Sequence, residues 1–247
     1  MRTVAIIQAR MGSSRLPGKV MKEILGKTVL SHVIERVRQS KNVDDIIIAT
    51  TTHSIDDQIV EEAWRCGCKF YRGSEGDVLS RYYFAAKEHH VDTIVRITSD
   101  CPLIDPHVID DLIVIYKEGN WDLVTNAGSD LSNRTYPRGL DTEVFPIAVL
   151  EDAYYHGTEN YQREHVTPYI YEHYSNIFYD KLKDNYSAHR WTLDTPEDFQ
   201  LISEIYKHLY KGTHDFYLQE ILGLFGQIPE LLQINSHIEQ KKISDKG

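Results

Sequence analysis

Val4-Ala5-Ile6-Ile7-Gln8-Ala9-Arg10-Met11-Gly12-Ser13-Ser14-Arg15-Leu16-Pro17-Gly18-Lys19 is the stretch on which the fold turns. Its first four residues are an unbroken apolar run, which predicts a strand buried on both faces. From Gln8 onward two glycines, two serines and a proline disfavour both helix and strand. Arg10, Arg15 and Lys19 make this connection basic. Free backbone N–H groups beside fixed positive charge suit a polyphosphate, although a basic turn with no ligand has the same composition. The loop is not a P-loop: five residues separate Gly12 from Gly18, and Val20 stands where a metal-binding hydroxyl is required. Nor is it a dinucleotide fingerprint, because Gly12 lacks partner glycines at the needed offsets.

Working outward, Leu30, Val33, Ile34 and Val37 recur at helical spacing and predict a helix over 29–37. Near its end Arg36, Arg38 and Lys41 are expected to face water. A buried strand is predicted over 45–51. Ser54 then reads as a helix N-cap, with Asp56 and Asp57 in the first turn. A short strand over 69–72 closes at Gly73, and a helix over 78–88 follows, ending at the solvated His89-His90. A strand over 92–97 runs into Thr98-Ser99-Asp100-Cys101-Pro102, and Pro106 opens a helix that ends near Gly119. This alternation predicts an α/β fold with a mostly parallel central sheet and helices on both faces. Ligands in such sheets bind beyond the carboxyl ends of the strands, so the first loop and Asp100 belong to one edge.

From Trp121 the pattern changes. A strand is predicted over 122–125, a polar mobile loop over 128–137, and a strand ending at Val144-Phe145. Helices are expected over 147–155 and 163–174, with Pro168 restricting the first turns of the second. Residues 189–194 read as a strand, followed by a helix with Thr195 as N-cap and Pro196 at its first position. Helical pieces over 215–225 and 230–238 lead to a frayed end. The expectation is one domain over 1–247, with 120–190 as an insertion on the substrate side and 212–247 as a helical tail. The tyrosine-rich stretch 154–186 is a candidate homodimer surface.

Composition narrows the function. At 247 residues, with 41% hydrophobic and 26% charged residues, the chain suits one large globular domain. No run reaches the ~18 apolar residues of a membrane helix, and Arg10 and Arg15 interrupt any signal core, so a cytoplasmic location is expected. Cys66, Cys68 and Cys101 are too few and too oddly spaced for a disulfide scaffold or a zinc knuckle, and are expected to be reduced and buried. The twelve histidines form no ligand pattern. Residues 1–41 hold nine Lys/Arg against two Asp/Glu, a balance of +7 in a chain of net −10, so the remainder carries −17. A basic cluster in an acidic chain fits a small polyanion and excludes a nucleic-acid polymer, which needs a broad basic face.

Asp100 and Asp194 each end an apolar run and each precede a proline by two residues. Either could be a helix cap. Beside a polyphosphate loop, two carboxylates without His or Cys suit Mg²⁺, which takes one or two carboxylates plus phosphate oxygens and water.

Residues 9–19, Ser99-Asp100-Cys101-Pro102-Leu103 and Leu193-Asp194-Thr195-Pro196-Glu197-Asp198 resemble the signature motifs of cytidylyltransferases that activate acidic sugars, the 3-deoxy-manno-octulosonate and acylneuraminate enzymes among them. Arg72-Gly73 with Asp77-Val78-Leu79, Arg138-Gly139-Leu140-Asp141 and Arg163-Glu164-His165-Val166-Thr167-Pro168 are similar to the spore-coat polysaccharide biosynthesis protein F branch. The resemblance runs from residue 3 to about residue 210.

It implies a nucleotide-diphosphosugar-transferase fold, Rossmann-like and similar to that of GT-A glycosyltransferases. It also implies transfer of a nucleotidyl group from CTP to a small sugar for surface or spore-coat polysaccharide. By that resemblance Gln8, Ala9, Arg10, Gly12, Ser13, Arg15, Lys19, Ser74 and Asp77 bind the nucleotide. Asp100 and Asp194 hold Mg²⁺, and Arg15, Lys19 and Asp100 carry the chemistry. Arg138, Asp141, Glu143, His165, His189 and Arg190 are the candidates for the sugar side, each with the alternative of a surface ion pair or strand-end polar group. The segment 74–81 lacks the glutamine with which the octulosonate branch reads cytosine, so the choice of CTP comes from the family and not from these residues. A glycosyltransferase of the same architecture predicts an Asp-x-Asp motif, whereas Asp100 is followed by Cys101-Pro102. A non-catalytic nucleotide sensor is the other alternative, and intact Arg15, Lys19, Asp100 and Asp194 weigh against it.

Overall fold

Both faces of β1 (Thr3–Gln8) are covered, which is why its apolar run does not alternate with polar residues. Ala5 and Ile7 point into one core and Val4 and Ile6 into the other. The structure, a computed structural model, describes residues 1–128 and 134–239. After β1 come the hairpin strands β2 (Glu23–Ile24) and β3 (Lys27–Thr28), then α1 (Val29–Val37), β4 (Asp45–Thr51), α2 (Asp57–Arg65) and β5 (Lys69–Gly73). Next are α3 (Val78–Glu88), β6 (Thr93–Thr98), α4 (Pro106–Glu118), β7 (Leu123–Thr125) and β8 (Glu143–Pro146). The last part holds α5 (Ile147–His156), α6 (Asn160–His165), α7 (Pro168–His173), β9 (Ile177–Tyr179), α8 (Pro196–Leu209) and α9 (Leu218–Gln227).

Among the described residues the main sheet runs β5-β4-β1-β6-β8-β7-β9. Strands β5, β4, β1 and β6 are mutually parallel, β8 is antiparallel to both neighbours, and β9 is parallel to β7. The mostly parallel sheet with a core on each face is therefore as expected. Gln8 sits level with Ala49 on one side and Thr98 on the other. That register brings the loop after β1 and the Ser99-Asp100 turn out of the same edge, where parallel sheets bind ligands. No described helix is long and apolar enough to cross a membrane.

Five local expectations need correction. Ser54 does not cap a helix: Ser54–Asp56 form a 3-10 turn, and α2 starts without a side-chain cap. Asp56 turns inward instead and accepts hydrogen bonds from Met11 N at 2.7 Å and from the Thr51 hydroxyl. Arg36 does not face water. It is fully buried, donates from Nε to Ile104 O (2.7 Å) and from Nη2 to Phe216 O (2.8 Å), and lies 4.7 Å from the Phe216 ring centre. The helix expected over 163–174 is two helices, α6 and α7, broken at Val166 with φ 72°, and Pro168, which has no N–H to continue a helix from α6, stands at the first turn of α7. Residues 189–194 are extended but, among the described residues, form only a single bridge, Arg138 with Arg190. Their partners are loops: Trp191 N donates to Arg138 O and Leu193 N to Asp100 O. Beyond α9 the chain makes a 3-10 turn, Pro229–Gln233, where a helix over 230–238 was expected.

Other readings hold. Thr195 caps α8 by accepting from Asp198 N, with Pro196 at the first position. The cysteines are free, and Cys68 and Cys101 are buried as expected, whereas Cys66 is only half-buried. Residues 129–133, half of the mobile loop expected over 128–137, and the frayed terminus lie outside the described residues, while Arg134 and Tyr136 of that loop are buried.

Candidate active site

The basic loop is folded by its own backbone. Ser13 N and Gly18 N both donate to Met11 O (2.8 and 3.1 Å), while Met11 N is tied to Asp56. Leu16 is buried in the core and pins the far side. Gly18 has φ 67°, a conformation that suits glycine, and a Cβ there would sit 3.0 Å from the Met11 side chain. This arrangement leaves Arg10 and Arg15 exposed and carries Lys19 back over the strand ends.

Lys19 Nζ donates to Asp100 Oδ2 at 2.6 Å and to Asp194 Oδ1 at 2.8 Å, with its side chain only 13% exposed. Burial alone would lower the Lys19 pKa, but the two carboxylates outweigh it and the net shift is upward. Asp100 mirrors this: burial pushes its pKa up, and Lys19 with the Thr98 hydroxyl brings it below the ordinary carboxylate value. Asp194 Oδ2 forms an ion pair with Arg15 Nη2 (3.0 Å) and accepts a hydrogen bond from Arg190 Nη2 (2.8 Å). Arg190 in turn grips Asp198, with Nε to Oδ1 and Nη2 to Oδ2 both at 3.0 Å. The structure thus brings Arg15, Lys19, Asp100, Asp194 and Arg190 into one cluster.

Whether this cluster suits a hard divalent cation can be judged from Lys19. One ammonium touches both carboxylates, so Asp100 and Asp194 are close enough to share one positive ion. Among the described residues no group of three or more His, Cys, Asp or Glu side chains could hold a metal. Two carboxylates without softer ligands fit an ion completed by phosphate oxygens and water, and do not fit zinc.

The other expected nucleotide contacts lie along the same edge. Gln8 Oε1 accepts from Arg96 Nη2 at 3.4 Å, which turns its amide donor away from Arg96. Arg10 pairs with Glu75 at 3.2 Å, and a Cβ on Gly12 would lie 3.1 Å from the same Glu75 oxygen. Ser74 Oγ accepts from Asp77 N, and Asp77 caps α3 through Ser80 N.

The sugar-side candidates divide. Arg138 and His189 line a cavity of about 320 Å³ together with Arg190, Phe225 and Asn235. Burial lowers the pKa of both Arg138 and His189. Asp141 is held bidentately by the buried Arg134 at 2.6 and 3.0 Å. Glu143 is buried and accepts from Arg96 (2.5 Å), Tyr171 (2.6 Å) and Thr167 (3.3 Å). His165 ends α6. Arg190 stands on Asp194 and Asp198.

Sequence reasoning missed Asp56, Asp198 and Asn235. The Thr195-x-x-Asp198 spacing is a capping-box pattern and could have flagged Asp198. Nothing local marks Asn235.

A family model described as cytidylyltransferase matches residues 4–241. The uncharacterized protein MJ1063 of Methanocaldococcus jannaschii is 39% identical over 245 residues, covering 98% of this chain and 97% of that protein. The spore coat polysaccharide biosynthesis protein SpsF of Bacillus subtilis strain 168 is 31% identical over 235 residues, covering 91% and 94%. Among solved structures, a cytidylyltransferase from Leptospira borgpetersenii superposes with a TM-score of 0.87 at 33% identity, covering 94% of this chain and 97% of that one.

Proposed function

Because the chain belongs to the cytidylyltransferase family, we propose that it transfers the cytidylyl group of CTP to a sugar hydroxyl, releasing pyrophosphate. The likeness to a spore-coat polysaccharide protein supports a sugar acceptor for surface polysaccharide, an acidic one by the resemblance of the motifs; a cytoplasmic location belongs to the same reading. Asp100 and Asp194 would hold Mg²⁺, which when bound neutralises charge on the phosphates. Lys19 would then turn from the carboxylates to the phosphate oxygens, joined by Arg15, Arg10 and the N–H groups of Ala9, Gly12 and Ser13. The base would lie toward Gln8, Ser74 and Asp77. Phosphoryl chemistry of this kind needs positioning and charge stabilisation more than covalent help, and fixed cations at the strand ends supply both.

In this reading residues 120–190 form the acceptor side and contribute a homodimer surface, and 212–247 form the tail. Arg138, Asp141, Glu143, His165 and His189 are the acceptor-side groups. The observation that carries the proposal is the single ammonium shared by Asp100 and Asp194 at the foot of a basic loop. It is tested by pyrophosphate release from CTP and Mg²⁺ across a panel of acidic and neutral sugars. Sugar-dependent release supports it. Release without sugar, or none with any sugar beside consumption of a nucleotide sugar, contradicts it.

A further inference from the structure

Asp198 is the most heavily bonded carboxylate near the site, and it touches neither Lys19 nor Asp100. It is fully buried and accepts five hydrogen bonds. Oδ1 takes Arg190 Nε (3.0 Å) and Asn235 Nδ2 (2.8 Å). Oδ2 takes Arg190 Nη2 (3.0 Å), Asp194 N (2.9 Å) and Thr195 N (3.0 Å). Asn235, itself only 4% exposed, donates from the same amide to Arg190 O at 2.9 Å. The Arg190 guanidinium is therefore fixed at its Nε side by Asp198, and its Nη2 is left aimed at Asp194 Oδ2.

The consequence lies in the orientation of Asp194. With Oδ2 engaged by Arg190, Asp194 presents Oδ1 to the position that Lys19 shares with Asp100. A carboxylate free to rotate would offer either oxygen, or both, and would lose entropy on meeting a cation. Held as it is, it offers one oxygen in one direction.

Resting on the functional reading above, we propose that Asp198 and Asn235 are positioning residues for the metal carboxylate. They act through Arg190 and through the Asp194 backbone N–H, so that the segment after α9 completes the metal site from 41 residues beyond Asp194. Arg190 is then part of this brace and not a sugar contact. Partners in the second layer around a metal ligand typically change metal affinity or activity about 10–100-fold when removed.

Asn235 is the informative position, because replacing Asp198 also strips the cap of α8 and leaves Arg190 buried beside fewer acceptors. Mn²⁺ binding to the full chain, measured from the free-ion spin-resonance signal with saturating CTP, reads the metal directly. CTP binding in EDTA and the melting temperature are followed alongside. Asn235→Ala should weaken Mn²⁺ binding about tenfold with CTP binding in EDTA unchanged. Asn235→Asp keeps the volume but turns a donor into an acceptor facing Asp198, so it should weaken Mn²⁺ at least as much. A purely structural role would lower the melting temperature of both variants and leave Mn²⁺ affinity as in the wild type, which overturns the proposal. Wild-type protein that takes up no Mn²⁺ with CTP overturns the functional reading and this inference together. Unchanged Mn²⁺ affinity in both variants beside normal wild-type binding overturns this inference alone.

Discussion

The two carboxylates that Lys19 joins are 81 and 175 residues away from it, so the cluster exists only in the folded chain. What the residues contribute differs with their burial. Arg15 is exposed and makes one contact of 3.0 Å to Asp194, so it adds little to the fold. Arg15→Ala should leave the melting temperature within a degree or two of the wild type. It should raise the CTP dissociation constant roughly tenfold, the scale of one charge-assisted phosphate contact. A thermal melt checks the first number and titration calorimetry the second, and an unchanged dissociation constant removes Arg15 from the phosphate site. At this scale Arg15, Lys19, Asp100 and Asp194 were legible, because loop composition and strand-end position are local properties. Arg36 was not. Helical spacing places it near a helix end whether it meets water or carbonyls, and its acceptors come from Ile104 and Phe216, distant in sequence.

Among the elements, α1, α3, α4, α5 and the parallel strands β1, β4 and β6 follow their sequence pattern, since each is buried along an apolar face, while β5 pairs at the sheet edge with no buried residue. The errors cluster where a segment's hydrogen-bond partners are irregular. Residues 189–194 have strand composition but find loop carbonyls, and that placement ties Leu193 N to Asp100 O at 2.8 Å. Gly139 permits it: with φ 99° it brings its backbone against Trp191, and a Cβ would lie 2.6 Å from Trp191 C and O. Gly139→Ala should therefore cost about 1–3 kcal/mol. It should also lower activity more than affinity for nucleotide, because the displaced segment carries Asp194. Denaturant melts and kcat together test this, and a variant with wild-type stability would show that the close approach relaxes freely. Val166 teaches a related lesson. Pro168 cannot sit inside a continuous helix, a fact visible in the sequence but read there as a feature of the first turn and not as a break, which falls at Val166 with its positive φ.

For the molecule as a whole, the fold divides the nine cations of the +7 amino-terminal stretch: Arg10, Arg15 and Lys19 come to the ligand edge of the sheet, while Arg2 pairs with Asp45, Lys27 with Glu35, and Arg36 is buried against carbonyls. The carboxy-terminal third is held to this frame by a buried histidine pair. His32 Nδ1 and His214 Nε2 are 2.9 Å apart among Tyr206, Tyr210 and Phe216, with Glu35, Lys27 and Arg36 around them. Burial, reinforced by Arg36, His32 and Lys27, lowers the His214 pKa to about 3, and burial also lowers that of His32. A histidine whose folded pKa is depressed takes up protons more readily when unfolded. Stability is thus full above the ordinary histidine value of about 6.5 and declines as pH falls through it. The urea midpoint should drop between pH 7.5 and pH 5, and His214→Gln should flatten that slope. A midpoint independent of pH in the wild type would contradict the buried neutral pair. The alternation of strands and helices made the parallel sheet legible at this scale. Strand order and the return of residues 190–235 over the site were not, because both are set by contacts with no local signature.

Metal-dependent CTP affinity of the wild type beside Asp100→Asn and Asp194→Asn, measured by calorimetry with Mg²⁺ and again in EDTA, bears most directly on a cation site shared by two carboxylates. In the wild type Mg²⁺ should tighten CTP at least about tenfold, and each variant should lose that gain while binding CTP in EDTA no more weakly than the wild type. Equal tightening by Mg²⁺ in all three proteins would contradict the shared site.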